Sequence, residues 1–289
     1  MPRRPNTRRD EGNPVNVSRF RQSSLVAFGC LWLTSVTGAT SAFADEQIAS
    51  PDPVTPVTPD EWKISVGPGL MLSPKYPGAR ELRVLPIPSL DISYDDRIFS
   101  QGLDFLGVNV LKGDAYHVGA ALSLDFQSRD ESADAHVHGL GNVDEGPKLK
   151  LFADYSVSFL TGSVAAYQDI AGTGQGLLVS TDLAANLPVT PALLFSLGPG
   201  VTWANSEYTQ SLFGVNGRQS AASGLPVFNT SAGIRDVHFN AYASYDLSKQ
   251  WVASIDVTAG RLQHDAARSP ITERTTELNV VAALNYRFR

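Results

Sequence analysis

The chain has 289 residues, of which 43% are hydrophobic and 18% are charged, and it carries a formal net charge of −6 and one cysteine. This hydrophobic content excludes a disordered acidic tail. The negative balance argues against a nucleic-acid-binding protein, which needs a basic surface.

The first 44 residues predict a secretory signal peptide. Six arginines in the first 21 residues are followed by the apolar run 25–36 (LVAFGCLWLTSV) and by Ala-Phe-Ala at 42–44. This order precedes signal cleavage, so we expect Sec export and a cut before Asp45. A short N-terminal membrane anchor is the alternative, but the run is shorter than the ~20 residues that a spanning helix needs.

The predicted mature chain differs in charge from the whole. Residues 1–44 hold six arginines, two acidic residues and the only cysteine, so their removal takes the net charge from −6 to −10. Without thiols no disulfide framework is available. Residues 45–60 (DEQIASPDPVTPVTPD) contain four prolines, which predicts a stiff, solvated periplasmic spacer. A partner-binding segment is the alternative.

From residue 61 to 289, apolar and polar residues alternate with a period of two. In 148–159, for example, Leu149 and Leu151 alternate with Lys148 and Lys150. Strands of globular proteins usually have five or six residues, whereas tilted membrane strands need roughly nine to eleven. The segments here run to eleven or twelve. They favour an all-β, transmembrane, antiparallel up-and-down barrel over a soluble β-sandwich.

Aromatic residues near the predicted strand ends suit the girdles of such a barrel. They are Trp62, Tyr94, Tyr155, Trp203, Trp251, Tyr286 and Phe288.

The strand count follows from the connections. Eleven candidate strands are visible: 62–72, 82–94, 97–110, 115–127, 147–159, 163–171, 176–187, 192–204, 237–247, 251–262 and 276–288. Bacterial barrels have even counts, short periplasmic turns and long external loops. Splitting 97–110 near Gln101-Gly102 satisfies this rule and predicts twelve strands, with ten as the fallback. The long segment 205–236 is predicted to be a plug or an external recognition surface.

Two Gly-Pro-Gly motifs interrupt the strand pattern, at 67–69 and 198–200. Because proline cannot donate to a β-ladder, each predicts a bulge or kink.

Charged residues on the inward faces are the candidate lumen site. Such residues could line a cation-preferring pore, or they could form a salt-bridged interior that only holds the barrel in shape. The predicted lumen-facing charges are Asp125, Lys148, Lys150, Asp154, Asp169 and Asp182, with Asp91, Asp256, Arg83, His117 and His238 as further members. Lys150→Ala is expected to cost much less than Leu151→Arg on the lipid face.

No residue set predicts catalysis, cofactor binding or a metal site. His264, Asp265 and Ser269 lie close in sequence, but no G-x-S-x-G motif accompanies them. His136 and His138 could bind a metal with Asp134 or Asp144, but a solvated loop is the favoured interpretation.

An ordered set of short motifs runs through the predicted barrel. The set comprises Pro74, Tyr76, Pro77 and Gly78 (SPKYPGA), Pro86, Pro88 and Tyr94 (LPIPSLDISY), Tyr208, Phe213, Gly214 and Val215, Ser223-Gly224-Leu225, and finally Arg261-Leu262, Asp265-Ala266 and Ser269-Pro270-Ile271. Together these motifs resemble the MipA/OmpV family of outer-membrane proteins over residues 61–289. One departure is that Arg289 follows Phe288, where such barrels usually end in the aromatic residue.

The resemblance implies a β-barrel of the Gram-negative outer membrane, surrounded by lipid, and a non-enzymatic function. It implies a scaffold for peptidoglycan remodelling, with a lytic transglycosylase and a penicillin-binding protein as partners. A narrow, cation-preferring channel for small solutes or an antibiotic and stress response is the alternative.

Overall fold

The computed structural model describes residues 62–288 as one closed antiparallel barrel of twelve strands. The predicted signal peptide, the predicted spacer and Arg289 lie outside the described residues. Neighbours in sequence are neighbours in the barrel, and β1 pairs with β12 to close it. The strands are β1 (Trp62–Pro74), β2 (Leu82–Tyr94), β3 (Ile98–Gln101), β4 (Asp104–Lys112), β5 (Tyr116–Asp125), β6 (Gly146–Val157), β7 (Leu160–Asp169), β8 (Leu177–Thr190), β9 (Leu193–Ala204), β10 (Gly233–Asp246), β11 (Trp251–Leu262) and β12 (Thr276–Phe288).

The predicted twelve strands and the split of 97–110 are confirmed. The turn between β3 and β4 contains Gly102 with φ of 60°, a backbone conformation that glycine adopts without strain. Strand ends differ from the prediction by a few residues, most at β10, which begins at Gly233 rather than at 237. Among residues 62–288, no helix is long and apolar enough to cross a bilayer.

Alternation places apolar side chains on the outside of the wall. Leu70, Val84, Leu151 and Val157 are all more than half exposed, the reverse of a water-soluble protein. Of the seven aromatic residues expected in girdles, Trp203 lies at the long-loop end and the others lie at the short-turn end. Trp62 packs on Tyr94, and Trp251 on Tyr286, with ring centroids 4.9 and 5.3 Å apart. By the rule for outer-membrane barrels, the short turns face the periplasm.

A bulge or kink was predicted at each Gly-Pro-Gly motif, and the bulge is wrong at both. The pairing of β1 with β2, and of β9 with β8 and β10, keeps its register through both motifs. The glycines instead allow neighbouring strands to approach closely. A Cβ atom on Gly67 would collide with the backbone carbonyl of Leu284, and one on Gly198 with that of Leu183.

Three α-helices lie in the long external connections: α1 (Ser206–Phe213), α2 (Gly217–Ser223) and α3 (His264–Arg268). Asn205 begins α1 by accepting a hydrogen bond from the Tyr208 N–H. Asn216 and Gln219 form a reciprocal capping box at the start of α2. The segment 205–232 is therefore folded rather than an open loop.

Candidate functional site: the capped lumen

A cavity of about 590 Å³ occupies the barrel interior. It extends from Tyr76 and Gln127 near the external end to Thr161 and Asn186 near the short turns. Its charged lining residues include Lys148, Lys150, Asp104, Asp125, Arg235, Asp236, His238 and Glu277. A volume of this size is in the range of small-molecule sites.

Two lysines of β6 form ion pairs with β4 and β5. Lys150 Nζ donates to Asp104 Oδ2 at 2.6 Å, and Lys148 Nζ donates to Asp125 Oδ2. Lys150 also lies 5.6 Å from the centroid of the Tyr167 ring. The interior is thus salt-bridged on this side. Asp104, the partner of Lys150, was absent from the sequence-based set because it lies beside the turn that splits 97–110.

A second polar network connects β8 with β10. His238 Nδ1 contacts Asp236 Oδ1 at 2.8 Å, and its Nε2 atom contacts Asp182 Oδ1. Asn240 Nδ2 also donates to Asp182 Oδ1, at 3.0 Å. His238 therefore lies between two carboxylates.

Arg235 joins this network because of a β-bulge. The register of β10 against β9 shifts between Ile234 and Asp236, so the neighbouring side chains of Arg235 and Asp236 can contact each other at the lumen. Alternation alone would have placed these two residues on opposite faces, which explains why the sequence did not identify Arg235.

The remaining predicted lumen residues take other roles. Asp169 accepts hydrogen bonds from the N–H groups of Ala171, Gly172 and Gln175 and so organises the β7–β8 turn. Asp154 lies in register with His117 and Ser163 and is not part of the cavity lining.

The external connections fold together over the barrel mouth. We call the connections 75–81, 126–145, 170–176, 205–232 and 263–275 the external cap. One apolar cluster joins the cap to the tops of the strands, and a second joins the connections to one another. The first contains Val143, Leu178, Ala204, Tyr208, Leu212, Phe213, Leu262 and Ala266, and the second contains Tyr76, Ala79, Val137, Leu140, Val215 and Ile271.

Tyr208 of α1 attaches the cap to the lumen wall. Its hydroxyl donates to Gln127 Oε1 at 2.5 Å and accepts from Arg235 Nη1 at 2.8 Å. Lys148 Nζ lies 5.4 Å from the centroid of the Tyr208 ring. Burial raises the pKa of the phenol above its usual range, which keeps the hydroxyl protonated as a donor. Because Lys148 belongs to β6 and Arg235 to β10, contacts with both place α1 across the mouth.

Arg129 holds the cap together from within. Its guanidinium donates to the carbonyls of Gly141, Leu140 and Leu212 at 3.2 to 3.3 Å, joining connection 126–145 to the end of α1. Burial lowers its pKa to about 10, so it remains charged at neutral pH.

Most of the motif residues lie in the cap. Tyr76 OH donates to Glu273 at 3.0 Å, and the Gly78 N–H donates to Glu277 at 2.7 Å. Gly78 has φ of 87° and a side chain there would meet Thr272. These bonds join the first external turn to the last.

The last motif is held in the same way. Ser269 Oγ donates to the Phe213 carbonyl at 2.6 Å, and His136 Nε2 contacts the Pro270 carbonyl at 2.9 Å. Asp265 accepts from the Ser231 N–H at 2.9 Å. Ser269 and Asp265 are therefore bonded to separate partners and not to each other, unlike neighbouring members of a nucleophile–base arrangement.

Four other motif positions have simpler surroundings. Gly214 follows α1, and its N–H donates to the Gln210 carbonyl. Pro74 ends β1, Pro77 lies in the turn after it, and Tyr94 packs on Trp62 at the opposite end of the barrel. Within residues 62–288, no group of three or more His, Cys, Asp or Glu side chains is placed to hold a metal ion.

Comparison with protein families gives a match to the family described as MltA-interacting protein MipA, over residues 66–288. The chain belongs to the MipA family. Its twelve-stranded antiparallel barrel is of the outer-membrane type. No curated protein sequence matches this MipA-family chain.

Several solved structures share the barrel architecture at low similarity. One is described as a bacterial polysaccharide outer membrane secretin (TM-score 0.42, 8% identity, 78% of this chain and 98% of that chain). Another is the CymD monoaromatic hydrocarbon channel (TM-score 0.39, 10% identity, 78% and 88%). A third is OmpF of Salmonella typhi in complex with daunomycin (TM-score 0.32, 12% identity, 70% and 50%). These similarities are too low to say anything about the function of the MipA-family chain.

Proposed function

We propose that this protein is a non-enzymatic outer-membrane barrel that holds murein-remodelling enzymes at the membrane, with a lytic transglycosylase and a penicillin-binding protein as partners. The observation that carries the proposal is the external cap, which covers the mouth of a barrel of the MltA-interacting family. A barrel whose interior is occupied by ion pairs and whose mouth is covered suits attachment better than transport.

The proposed docking surface is the short-turn end, together with the spacer 45–60. Asp114 and Lys249 are exposed side chains in two of these turns. Murein lies on the periplasmic side, so its enzymes reach these turns and not the cap. Long-range charge contributes to such encounters, and reversing it at the rim of an interface slows association.

Capture of a purified MltA-type lytic transglycosylase by the full mature protein in detergent tests the proposal. A double variant, Asp114→Lys with Lys249→Glu, is expected to weaken capture without unfolding the barrel. Arg218→Glu, an exposed charge reversal in α2 of the cap, is the matched control and is expected to capture normally. The absence of capture by the unsubstituted protein, or equal losses in both variants, contradicts the proposal.

A second candidate function is a narrow, cation-preferring channel. The observation in its favour is the polar cavity, which reaches Thr161 and Asn186 close to the short turns and includes the acidic residues Asp91 and Asp256. Planar-bilayer recording of the refolded protein should then show cation-biased conductance that falls when Asp91 and Asp256 are neutralised. Silent bilayers would exclude this function and leave the docking proposal intact.

A further inference from the structure

The third strand is too short to complete the barrel wall. β3 has four residues, and its pairing with the thirteen-residue β2 ends at Asp91 and Gln101. Among residues 62–288, the stretch 82–89 of β2 has a strand partner only on its β1 side. At roughly 3.3 Å per residue, about 26 Å of the β2 edge is left without a ladder.

The sequence of β2 is adapted to this unpaired edge. The Leu90 carbonyl accepts from the Gly102 N–H, so Leu90 faces the β3 side. Peptide groups two and four residues away face the same side of a strand, and these positions are Pro88 and Pro86. Proline has no N–H group, so two donors that lipid could not satisfy are absent from the open edge.

The resulting gap, which we call the lateral window, has a defined frame. The turn between β3 and β4 forms its lower border, with Leu103 exposed there. At the external end of the window, the Arg83 side chain extends from β2 towards the connection after β5. Its Nη2 atom donates to the Phe126 carbonyl and, at 2.9 Å, to Glu145 Oε1. Leu124 of β5 forms the far side. The Arg83 side chain alone bridges this end, so the opening there is no wider than the reach of one side chain.

The lateral window lies against the internal cavity. Pro88, Leu90 and Leu124 alternate with inward residues and belong to the outer face of their strands. All three residues also line the internal cavity, so the cavity reaches the wall at the place where β2 has no strand partner on its β3 side. Neighbouring outward residues such as Val84 and Leu70 are apolar and exposed, so the opening lies at the level of lipid chains.

We propose that the lateral window admits a single-chain amphiphile, such as a fatty acid or a lysophospholipid, from the outer leaflet. The apolar frame contacts its chain, and the polar head lies in the lumen beside the Lys150–Asp104 and Lys148–Asp125 pairs. This binding site goes beyond the proposed docking role and does not depend on it.

Photo-crosslinking tests the site. The refolded mature protein in phospholipid vesicles receives oleic acid or lysophosphatidylcholine carrying a diazirine close to the head group, and adducts are mapped by peptide mass spectrometry. We expect adducts on the inward residues Met71, Ile87 and Ser89. Labelling of Ile234, which faces outward near the external end of β10, reports contact with bulk lipid in the same sample. The two probes show which head group is accepted.

A bulky substitution that blocks the window tests whether the labelled amphiphile enters through it. Leu124→Trp should reduce inward adducts several-fold, whereas Leu278→Trp, the same change on the outward face of β12, should leave them unchanged. Ile234 adducts should stay constant in both variants. If Leu124→Trp fails to fold, Leu103→Trp blocks the lower border instead. Inward residues that remain unlabelled in the unsubstituted protein, or inward labelling that a folded blocking variant does not reduce, would overturn the proposal.

Discussion

Asp182 of β8 and His238 of β10 are joined by a hydrogen bond across the strand that separates them. Gly200 of β9 is paired in register with both residues. The two side chains meet because this position carries no side chain of its own, and a Cβ atom on Gly200 would overlap the carboxylate and the imidazole. The second Gly-Pro-Gly motif thus makes room for the lumen network.

Gly200→Ala is expected to destabilise the barrel by about 1–3 kcal/mol, because the added methyl group forces the Asp182–His238 pair apart. Gly260→Ala is the matched control. Gly260 pairs with His238 from the other side, and a Cβ atom there would come no closer than 3.6 Å to the His238 side chain. Urea unfolding of the refolded protein measures both variants. Equal stability of the two would contradict the overlap.

The Lys150–Asp104 ion pair changes the stability cost expected for a substitution of Lys150. The sequence alone predicts that Lys150→Ala costs much less than Leu151→Arg. Both side chains are nearly buried and bonded to each other, so removing the lysine leaves a buried carboxylate without its partner. We now expect Lys150→Met to cost about 3 kcal/mol.

The double variant Lys150→Met with Asp104→Asn serves as the test of that pairing. It should recover much of the loss, with a coupling free energy of about 1–3 kcal/mol in a double-mutant cycle. Strictly additive costs would show that the two side chains do not interact in the folded protein.

Leu151→Arg probes the lipid face of β6. Leu151 is outward and more than half exposed, and an arginine near the bilayer midplane should cost roughly 2–4 kcal/mol. Val157→Arg lies on the same face at the short-turn end of β6 and should cost at most about 1 kcal/mol. Loss of the mobility difference between unboiled and boiled protein on a gel reports unfolding. A larger effect at Val157 than at Leu151 would show that the membrane lies elsewhere.

Acid is expected to loosen the cap at Asp265. Hydrogen bonds from the Ser231 N–H and hydroxyl, followed by Arg268, lower the pKa of this carboxyl. A lowered folded pKa means that the stabilisation is present above the ordinary aspartate value of about 3.9 and is lost as the pH falls below it. The protection of residues 229–232 against hydrogen exchange should therefore fall at low pH. Exchange should be faster than the pH dependence of the intrinsic rate alone accounts for. Asp265→Asn should show this faster exchange already at pH 6, and a variant that exchanges like the unsubstituted protein would refute the role.

The barrel could be predicted because it depends on features that can be recognised within each strand and turn of the sequence. A period of two, strand length and the parity of the turns sufficed for twelve strands, and the parity also located the break at Gln101-Gly102. The cap was harder because α1 and α2 are short and their stability comes from packing between distant connections. A usable signal existed at Asn216, whose side chain and Gln219 three residues later match a capping box.

The lumen network was only partly predictable. Alternation identifies Asp182 and His238 as inward, but it cannot indicate that Arg235 joins them, because a β-bulge shifts the alternation there. Nor does it show which lysine faces which carboxylate. Such pairings depend on the register between strands, which alternation alone leaves free in steps of two residues.

The bonds between the first and last external turns bear on the order of assembly. Tyr76 and Gly78 contact Glu273 and Glu277, nearly two hundred residues away in sequence, across the β1–β12 junction. These contacts form only when the two ends of the sheet have met. The contacts of Tyr76 and Gly78 are therefore among the last in the chain to form, and their presence marks a barrel that has finished closing.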